Sequence, residues 1–208
     1  MIVAPHPDDD VIAAFGLIRR LRSQGTHVHV IVVTDGAASH RHSQRWPAPR
    51  LRMARRAECR RGLARAGVHA HRVRFLDYPD GSLGAFDDVD TRGLARALTR
   101  TRSPDLLVLP SANDDHPDHR RVAAAAALAW PRCRRRLSYL VWPRAEGRSS
   151  PTRYTLALDS VTVHMKRAAI LCHRTQTGLI DDDPTGFCMD TATIARFARP
   201  IERFGALR

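Results

Sequence analysis

Hydrophobic and polar positions follow two different periods along most of the chain. After a short apolar stub at residues 1–4, apolar side chains recur at helical spacing over residues 11–21, and this pattern ends near Gly25. The next segment, HVHVIVVTDG, contains a continuously apolar stretch at residues 30–33. A continuously apolar strand is typical of a sheet that is covered on both faces. The pattern therefore predicts a helix followed by a buried strand.

The same alternation of strand and helix continues through the rest of the chain. Further strands are predicted at HRVRFLDYP, PDLLVLP, LSYLVWP and YTLALD. Further helices are predicted over residues 49–66, 91–102, 118–130 and 160–174, the last with Asp159 as its N-cap. Alternating strands and helices favour a mainly parallel sheet with helices on both faces, which is a three-layer, Rossmann-like α/β fold. We expect a single domain over residues 1–208, in which the tail 181–208 remains unassigned.

Polar segments follow four of the predicted strands. They are PHPDDD, TDG, DYPDG and SANDDHPDH. In sheets of this kind, ligands collect beyond the carboxyl ends of the strands, so we expect these four segments to share one edge of the sheet. A cation at that edge would neutralise the repulsion among Asp8, Asp9 and Asp10.

Two of these segments have the spacing of a metal site. His6 and Asp9 are three residues apart across a strand-to-helix corner, and His116 and His119 repeat this spacing at the start of another helix. One imidazole–carboxylate pair with one further imidazole is the ligand set of a catalytic zinc site, which leaves a position for water. Asp8 would then be free to act as a base toward that water. Capping of helix N-termini by these aspartates is the alternative.

The composition adds a strongly basic charge. The formal net charge is +13, the basic residues are nearly all arginine, and Lys166 is the only lysine. The arginines are dispersed, and many fall on the polar faces of predicted helices, which favours a solvated surface over an anion-binding one. A nucleic-acid or anionic-lipid binding module remains the alternative. Aromatic residues make up only 6% of the chain, and no phosphate-binding glycine motif is present, so we expect no nucleic acid and no nucleotide.

The same composition indicates where such a chain would work. No apolar run is long enough to span a bilayer and no leader precedes the first motif, so we expect no transmembrane segment and a cytoplasmic location. The four cysteines have no metal-type spacing, which predicts buried free thiols in a reducing compartment. Because only four residues precede the Pro5–His6 corner, we expect the natural first strand to begin upstream.

Two motifs resemble those of a known family. The segment APHPDDD resembles the A-H-P-D-D-E signature of the PIG-L/LmbE-like zinc-dependent N-deacetylases, and HPDH at residues 116–119 is similar to their second metal motif. Weaker similarities extend the resemblance over roughly residues 2 to 180. They are TDG at 34–36, Arg55 with Glu58, YPDG at 78–81, and Lys166 with His173 and Gln176.

The resemblance implies a ligand set and a cofactor. It implies one zinc ion per chain, with iron(II) as the alternative, bound by His6, Asp9 and His119. Asp10 replaces the usual glutamate of the first motif, and only Gly16 remains of the glycine pair that commonly follows it. Neither difference removes a ligand, so we still expect activity.

The resemblance also implies the catalytic roles. Asp8 would be the general base, and His116 would stabilise the oxyanion or protonate the leaving amine, with Asp118 orienting it. Arg55 and His173 would lie at the substrate.

The implied reaction removes acetyl from a small N-acetylated sugar conjugate of the N-acetylglucosamine type. An anionic or lipid-linked conjugate, a different amide or ester, and a homo-oligomeric assembly all remain open.

Several other polar residues have two interpretations. Asp80 either forms a turn or contacts substrate, and Asp114 either orients the loop that carries His116 or caps the following helix. His173 lies either near the site or in ordinary packing at a helix end. The basic loop at residues 37–49 either is merely exposed or closes over a substrate.

Overall fold

One mixed sheet lies at the centre of the chain. The computed structural model describes residues 1–99, 103–142 and 152–206, and within these residues it has seven strands and six α-helices. The strands are β1 (Ile2–Ala4), β2 (Val30–Thr34), β3 (Val73–Tyr78), β4 (Leu107–Pro110), β5 (Arg136–Tyr139), β6 (Tyr154–Ala157) and β7 (Ile201–Ala206). The helices are α1 (Asp9–Ser23), α2 (Ala48–Arg65), α3 (Asp88–Leu98), α4 (Pro117–Ala129), α5 (Ser160–Ile170) and α6 (Thr191–Phe197).

The strand order is β3-β2-β1-β4-β5-β7-β6. The pairs among β1 to β5 are parallel, and β7 runs antiparallel to both of its neighbours. The chain builds outward from β1 to β2 and β3, then returns to place β4 on the other side of β1. This reversal creates a topological switch point between β1 and β4, where α/β folds open a crevice for ligands. The predicted Rossmann-like fold is confirmed.

Helices cover both faces of the sheet. One apolar core joins α1, α2, α5 and α6 to the sheet, and a second core joins α3 and α4 to its opposite face. Strand β2 contributes to both, since Val30 and Val32 belong to the first core while Ile31 and Val33 belong to the second. This arrangement explains why residues 30–33 are continuously apolar.

The predicted elements are present, with shifted ends. Asp159 caps α5 as expected, because its Oδ1 accepts a hydrogen bond from the Thr162 N–H at 2.7 Å. Helix α5 ends at Ile170 instead of residue 174, and a separate 3-10 turn covers Arg174–Gln176. The predicted end of α3 at residues 100–102 lies outside the described residues.

The tail forms α6 and β7, and β7 inserts between β5 and β6. Its Glu202 points inward toward α1, whose backbone is interrupted at Ala14 with φ of −137° and ψ of 17°. The Glu202 carboxylate accepts hydrogen bonds from the N–H groups of Gly16 at 2.8 Å and Leu17 at 2.9 Å. It therefore caps the second half of α1. The same carboxylate pairs with buried Lys166 at 2.8 Å.

The four cysteines differ in their exposure to solvent. The four cysteines are free, but only Cys59 and Cys133 are buried. The expectation of buried thiols is therefore wrong for Cys172, which is partly exposed, and for Cys188, which is exposed in the tail. Within the described part of the chain, no helix combines the length and the hydropathy that crossing a bilayer requires.

Candidate metal centre

The corner between β1 and α1 places three acidic or imidazole side chains at the switch point. Asp8 is the N-cap residue of α1, but its side chain makes no capping hydrogen bond. The Asp9 carboxylate accepts instead from the His6 N–H at 2.9 Å, which folds the corner back on itself. Capping of α1 is therefore not what Asp8 does.

The corner between β4 and α4 supplies the second set of side chains. His116 is the N-cap residue of α4, and its Nδ1 accepts a hydrogen bond from the Asp118 N–H at 3.2 Å. Because Nδ1 is an acceptor, the neutral ring carries its proton on Nε2. His119 lies one turn further along α4 and is fully buried.

Three side-chain atoms from the two corners form a nearly equilateral triangle. His6 Nδ1 lies 3.1 Å from Asp9 Oδ2 and 3.2 Å from His119 Nε2, and the third edge, from His119 Nε2 to Asp9 Oδ2, is 3.2 Å. A tetrahedral zinc with bonds of about 2.0–2.1 Å separates its ligand atoms by about 3.3 Å. The observed triangle fits one face of that tetrahedron.

The charges of the triangle also fit a cation. Burial opposes protonation of His119, but the nearby carboxylates of Asp9 and Asp114 outweigh it and raise the pKa of His119 to about 9. Burial likewise opposes ionisation of Asp9, yet His119 and His6 hold the pKa of Asp9 well below its usual range. The carboxylate thus attracts positive charge to the point where the three side chains meet, which a metal ion would supply.

Three carboxylates orient the two imidazole rings. His119 Nδ1 lies 3.1 Å from Asp114 Oδ2, and His6 Nε2 lies 3.2 Å from Asp80 Oδ1 and 3.3 Å from Asp118 Oδ2. Such partners fix the ring orientation of metal-binding histidines and increase their basicity. Sequence reasoning placed Asp80 and Asp114 in loops at this edge without assigning them to the histidines. Their position directly after β3 and β4 was the available signal.

Asp118 does not play the part expected from the sequence. Its carboxylate accepts from the Gly81 N–H at 2.9 Å and the Leu83 N–H at 3.0 Å, and it contacts His6. Only the backbone N–H of Asp118 binds the His116 ring. The cause is that the first turn of α4 brings the carboxylate to the N–H groups of Gly81 and Leu83. It stays within 4.8 Å of a ring nitrogen of His116 but makes no hydrogen bond to that ring. Asp114, as one of its two interpretations held, binds the His116 N–H at 3.0 Å.

Asp8 is held beside the triangle by Arg55 of α2. Its Oδ2 accepts from Arg55 Nη2 at 2.9 Å, and Arg55 Nη1 donates to the Gly36 carbonyl at 2.9 Å. Gly36 has a φ of +67°, and a Cβ there would lie 2.6 Å from Arg55 Nη1, so a glycine is required. Burial raises the pKa of Asp8 despite the adjacent guanidinium. Arg55 thus lies at the site with its guanidinium engaged by Asp8, and its contact with a substrate stays a prediction.

The triangle opens into a cavity of about 430 Å³. Its floor includes His6, Asp8, Asp9 and His116. The walls come from five segments. They are the segment after β3 (Asp80, Gly81), the segment after β5 (Trp142), the 3-10 turn after α5 (Gln176), the tail (Phe187) and the basic loop (Ala38, Ser39, Arg41). Part of the 37–49 loop therefore borders the cavity, and closure of this loop over a substrate stays a prediction.

His173 does not lie in the cavity wall. Its ring is completely buried against α2, where a Cβ added to Gly62 would lie 3.1 Å from His173 Nε2. Neither ring nitrogen has a hydrogen-bond partner among the described residues. Burial, with Arg55 and Arg61 nearby, lowers the pKa of His173 to about 3, so the ring is neutral. The predicted substrate contact is therefore corrected to packing between α2 and the end of α5.

Fold and cavity together define a class of protein. The sheet is Rossmann-like, and its switch point holds a His–Asp–His cluster and one further carboxylate, that of Asp8. This is the arrangement of an α/β hydrolytic enzyme with a candidate metal centre. A model of the PIG-L family, described as GlcNAc-PI de-N-acetylase, matches residues 1–130. The chain belongs to the PIG-L family and is a hydrolytic N-deacetylase.

Solved structures share the fold. The N,N'-diacetylchitobiose deacetylase from Pyrococcus horikoshii superposes with a TM-score of 0.73 at 22% identity, covering 99% of this chain and 82% of that one. A zinc inhibited form of teicoplanin deacetylase Orf2 superposes with a TM-score of 0.64 at 18% identity, covering 84% of this chain and 83% of that one. GalB, the 4-carboxy-2-hydroxymuconate hydratase from Pseudomonas putida KT2440, superposes with a TM-score of 0.66 at 18% identity, covering 99% of this chain and 93% of that one. A search of curated proteins found no match.

Proposed function

We propose that the chain removes the acetyl group from an N-acetylated sugar conjugate of the N-acetylglucosamine type, with one zinc ion held by His6, Asp9 and His119. The observation that carries the proposal is the triangle of candidate ligand atoms with edges of 3.1–3.2 Å, beside which lies the carboxylate of Asp8. The PIG-L description, GlcNAc-PI de-N-acetylase, supports the amide and the sugar class. When bound, a divalent metal would polarise the amide carbonyl and acidify the attacking water.

Asp8 is placed to take the proton from that water. Its Oδ2 is engaged by Arg55, which leaves Oδ1 to accept the proton. The raised pKa of Asp8 brings its proton affinity closer to that of the water it must deprotonate. Arg55 also keeps the carboxylate from turning away, so the proton acceptor is fixed before substrate arrives.

His116 lies beside the cluster, with its ring centroid 4.7 Å from that of His6 and 5.1 Å from that of His119. His116 lines the cavity, and because its Nδ1 accepts from the Asp118 N–H, its Nε2 carries the hydrogen. Burial and the neighbouring imidazoles lower the pKa of His116, so the ring donates its Nε2 hydrogen as a neutral group. That hydrogen would stabilise the carbonyl oxygen as negative charge develops. As the C–N bond breaks, the proton held by Asp8 would pass to the amine nitrogen. Water and the N-acetyl amide are then consumed, acetate and the free amine are released, and Asp8 is again ionised.

A deacetylation assay with matched variants tests this proposal. The wild type, loaded with one equivalent of Zn²⁺ or Fe²⁺, is given N-acetylglucosamine and N,N'-diacetylchitobiose, and both acetate and free amine are measured. Excess zinc is avoided, since a zinc inhibited form is known for teicoplanin deacetylase Orf2. We expect Asp8→Asn to keep the metal and to lose activity by about 100-fold or more. We expect His119→Ala to lose both metal and activity.

Arg92→Gln, at an exposed position of α3, is the control that keeps both metal and activity. A metal-loaded wild type that releases no acetate from either compound contradicts the proposal. Polynucleotide binding that persists after chelation would instead favour the charge-driven binding module. We also propose a cytoplasmic location, which the four free thiols support.

A further inference from the structure

Arg41 differs from the other arginines at this edge of the sheet. Four of them are paired with carboxylates: Arg45 with Asp181, Arg52 with Asp35, Arg55 with Asp8, and Arg56 with Asp77. Arg41 has no hydrogen-bond acceptor and no ion-pair partner within residues 1–99, 103–142 and 152–206. It is also the residue of this group, besides Arg55, that lines the cavity. Arg41 is exposed to solvent, so its guanidinium borders the cavity without an ion-pair partner among the described residues.

The backbone that carries Arg41 is held in place on both sides. Upstream, the Ala38 N–H donates to Asp80 Oδ2 at 3.0 Å. Downstream, the His42 N–H donates to Asp183 Oδ2 at 2.9 Å, and the Ser43 hydroxyl donates to Asp182 Oδ1 at 2.7 Å. Binding an anion through Arg41 would thus cost little ordering of the loop, because the loop is already fixed.

The guanidinium lies close to the catalytic edge. Gly81 has a φ of +75°, and a Cβ there would lie 2.9 Å from Arg41 Nη2. The N–H of the same glycine donates to Asp118, which contacts His6. The side chain of Arg41 therefore packs over the segment that supports the metal ligands, within reach of a sugar whose N-acetyl group lies at the triangle.

The remaining walls suit the other parts of such a sugar. Trp142 and Phe187 meet edge to face, with centroids 5.7 Å apart, and form an apolar side of the cavity. Gln176 Nε2 donates to Ser39 Oγ at 3.1 Å, and its buried Oε1 has no partner among the described residues. An apolar face, an unpartnered acceptor for a hydroxyl and an unpaired cation together describe an amphipathic, negatively charged ligand.

We propose that Arg41 binds an anionic substituent, a phosphate or a carboxylate, on the N-acetylated sugar, so that the substrate class is an acidic amino-sugar conjugate. This inference rests on the proposed deacetylation. A guanidinium recognises both anions through paired N–H donors, and a charge-assisted contact of this kind changes affinity by about 10- to 100-fold.

Matched substrates and matched variants test the inference. The kcat/KM values for the 1-phosphate and 6-phosphate of N-acetylglucosamine and for N-acetylmuramate are divided by the value for neutral N-acetylglucosamine. We expect at least one ratio to exceed 10 in the wild type and to fall about 10- to 100-fold in Arg41→Gln. Arg41→Lys should keep part of the preference, and the control Arg92→Gln should keep all of it. The phosphate and carboxylate arms show which anion is preferred.

Binding of the amine products gives a readout that does not depend on turnover. Calorimetry compares glucosamine with its 1-phosphate and 6-phosphate on the metal-loaded wild type and the same variants. A preference for a phosphate that Arg41→Gln removes supports the anion site even if no acetate is released, a result that contradicts only the deacetylase proposal. Ratios near 1 in the wild type, or ratios that Arg41→Gln leaves unchanged, overturn the inference while deacetylation itself stands.

Discussion

Asp8, Asp9 and Asp10 are adjacent in the sequence but have three different environments. Asp8 pairs with Arg55, Asp9 faces His6 and His119, and Asp10 accepts from the Val11 N–H and the Cys59 thiol. Burial raises the pKa of Asp10 to about 7, and it also raises the pKa of Asp8. The three carboxylates still repel one another, since Asp8 and Asp9 add to the raised pKa of Asp10 and Asp9 adds to that of Asp8, but each has partners of its own.

Asp114 connects His119, the proposed metal ligand, to His116, which we propose stabilises the oxyanion. Its Oδ2 lies 3.1 Å from His119 Nδ1, while its Oδ1 accepts from the His116 N–H. We expect Asp114→Asn to weaken metal binding by about 10- to 100-fold, because the ligand loses its ionised partner. Competition with a chromophoric chelator measures this affinity.

Asp88→Asn, at an exposed position of α3, is the control for that experiment and should bind metal like the wild type. An Asp114→Asn protein that is folded and binds metal with unchanged affinity would show that the carboxylate does not support His119.

His173 makes the protein sensitive to acid. Its pKa is about 3 in the folded protein and about 6.5 in an unfolded chain, so below pH 6.5 the unfolded state binds the proton and the folded state does not. The free energy of unfolding therefore falls as pH decreases from about 6.5 toward 3, by about 2 kcal/mol between pH 7 and pH 5. We expect the free energy of unfolding of His173→Leu to fall by about 2 kcal/mol less than that of the wild type between pH 7 and pH 5. Urea unfolding at both pH values measures this difference.

Chelator in all samples removes any contribution from metal loss in that comparison. His164→Leu, at an exposed position of α5, is the matched control. An equal pH dependence in His173→Leu and the wild type would mean that His173 is protonated or exposed in the folded state.

At the level of elements, the link between β7 and α1 depends on a buried ion pair. Glu202 caps the second half of α1 and neutralises Lys166, and both side chains are buried. We expect Glu202→Gln to reduce the free energy of unfolding by about 3–5 kcal/mol, since it leaves the Lys166 charge unpaired. The double variant Lys166→Met/Glu202→Gln should recover much of this loss, because Gln can still accept from Gly16. Denaturant titration of all four proteins forms the cycle.

Additive losses in that cycle would show that the two side chains do not interact. Gly16 itself has a second constraint, since a Cβ there would lie 2.2 Å from Leu158 Cδ2. The one glycine retained after the first motif is therefore at a position where α1 and the segment after β6 are in close contact.

Strands β2 and β4 could be predicted from the sequence because their runs are apolar on both faces. Strands β3, β5 and β6 could be predicted because apolar residues cluster there between turn residues. Strand β7 could not, since its pattern is inverted: Ile201 is exposed while Glu202 is buried. The two His-Pro-Asp corners at one sheet edge predict that His6, Asp9 and His119 come together with Asp8 beside them, and the structure places them so; their roles remain a prediction. The contacts of Asp80, Asp118 and His173 depend on side-chain directions and on packing between distant segments, which spacing alone does not contain.

For the whole molecule, metal binding should appear as stability. A ligand at 100 times its Kd adds about 2.7 kcal/mol to the free energy of unfolding, and for a chain of 208 residues about 1 kcal/mol corresponds to 2–4 °C. We expect Zn²⁺ bound at one site, at about 100 times its Kd, to raise the Tm by about 5–10 °C relative to the protein kept metal-free by a chelator. His119→Ala should show no increase, and the exposed variant His71→Ala should behave like the wild type. Calorimetric scans provide the measurement, and an equal rise in His119→Ala would place the metal elsewhere.

The position of β7 also orders the assembly of the sheet in time. Strands β1 to β5 can pair as residues 1–139 become available, whereas β6 pairs, within the described residues, only with β7, which begins 44 positions after β6 ends. During synthesis β6 therefore remains unpaired until β7 is made. Pairing of β6 with β7 then brings Glu202 to Lys166 and to α1 in the same step. The amides of β6 and β7 should consequently open and exchange together, as one cooperative unit distinct from the parallel strands.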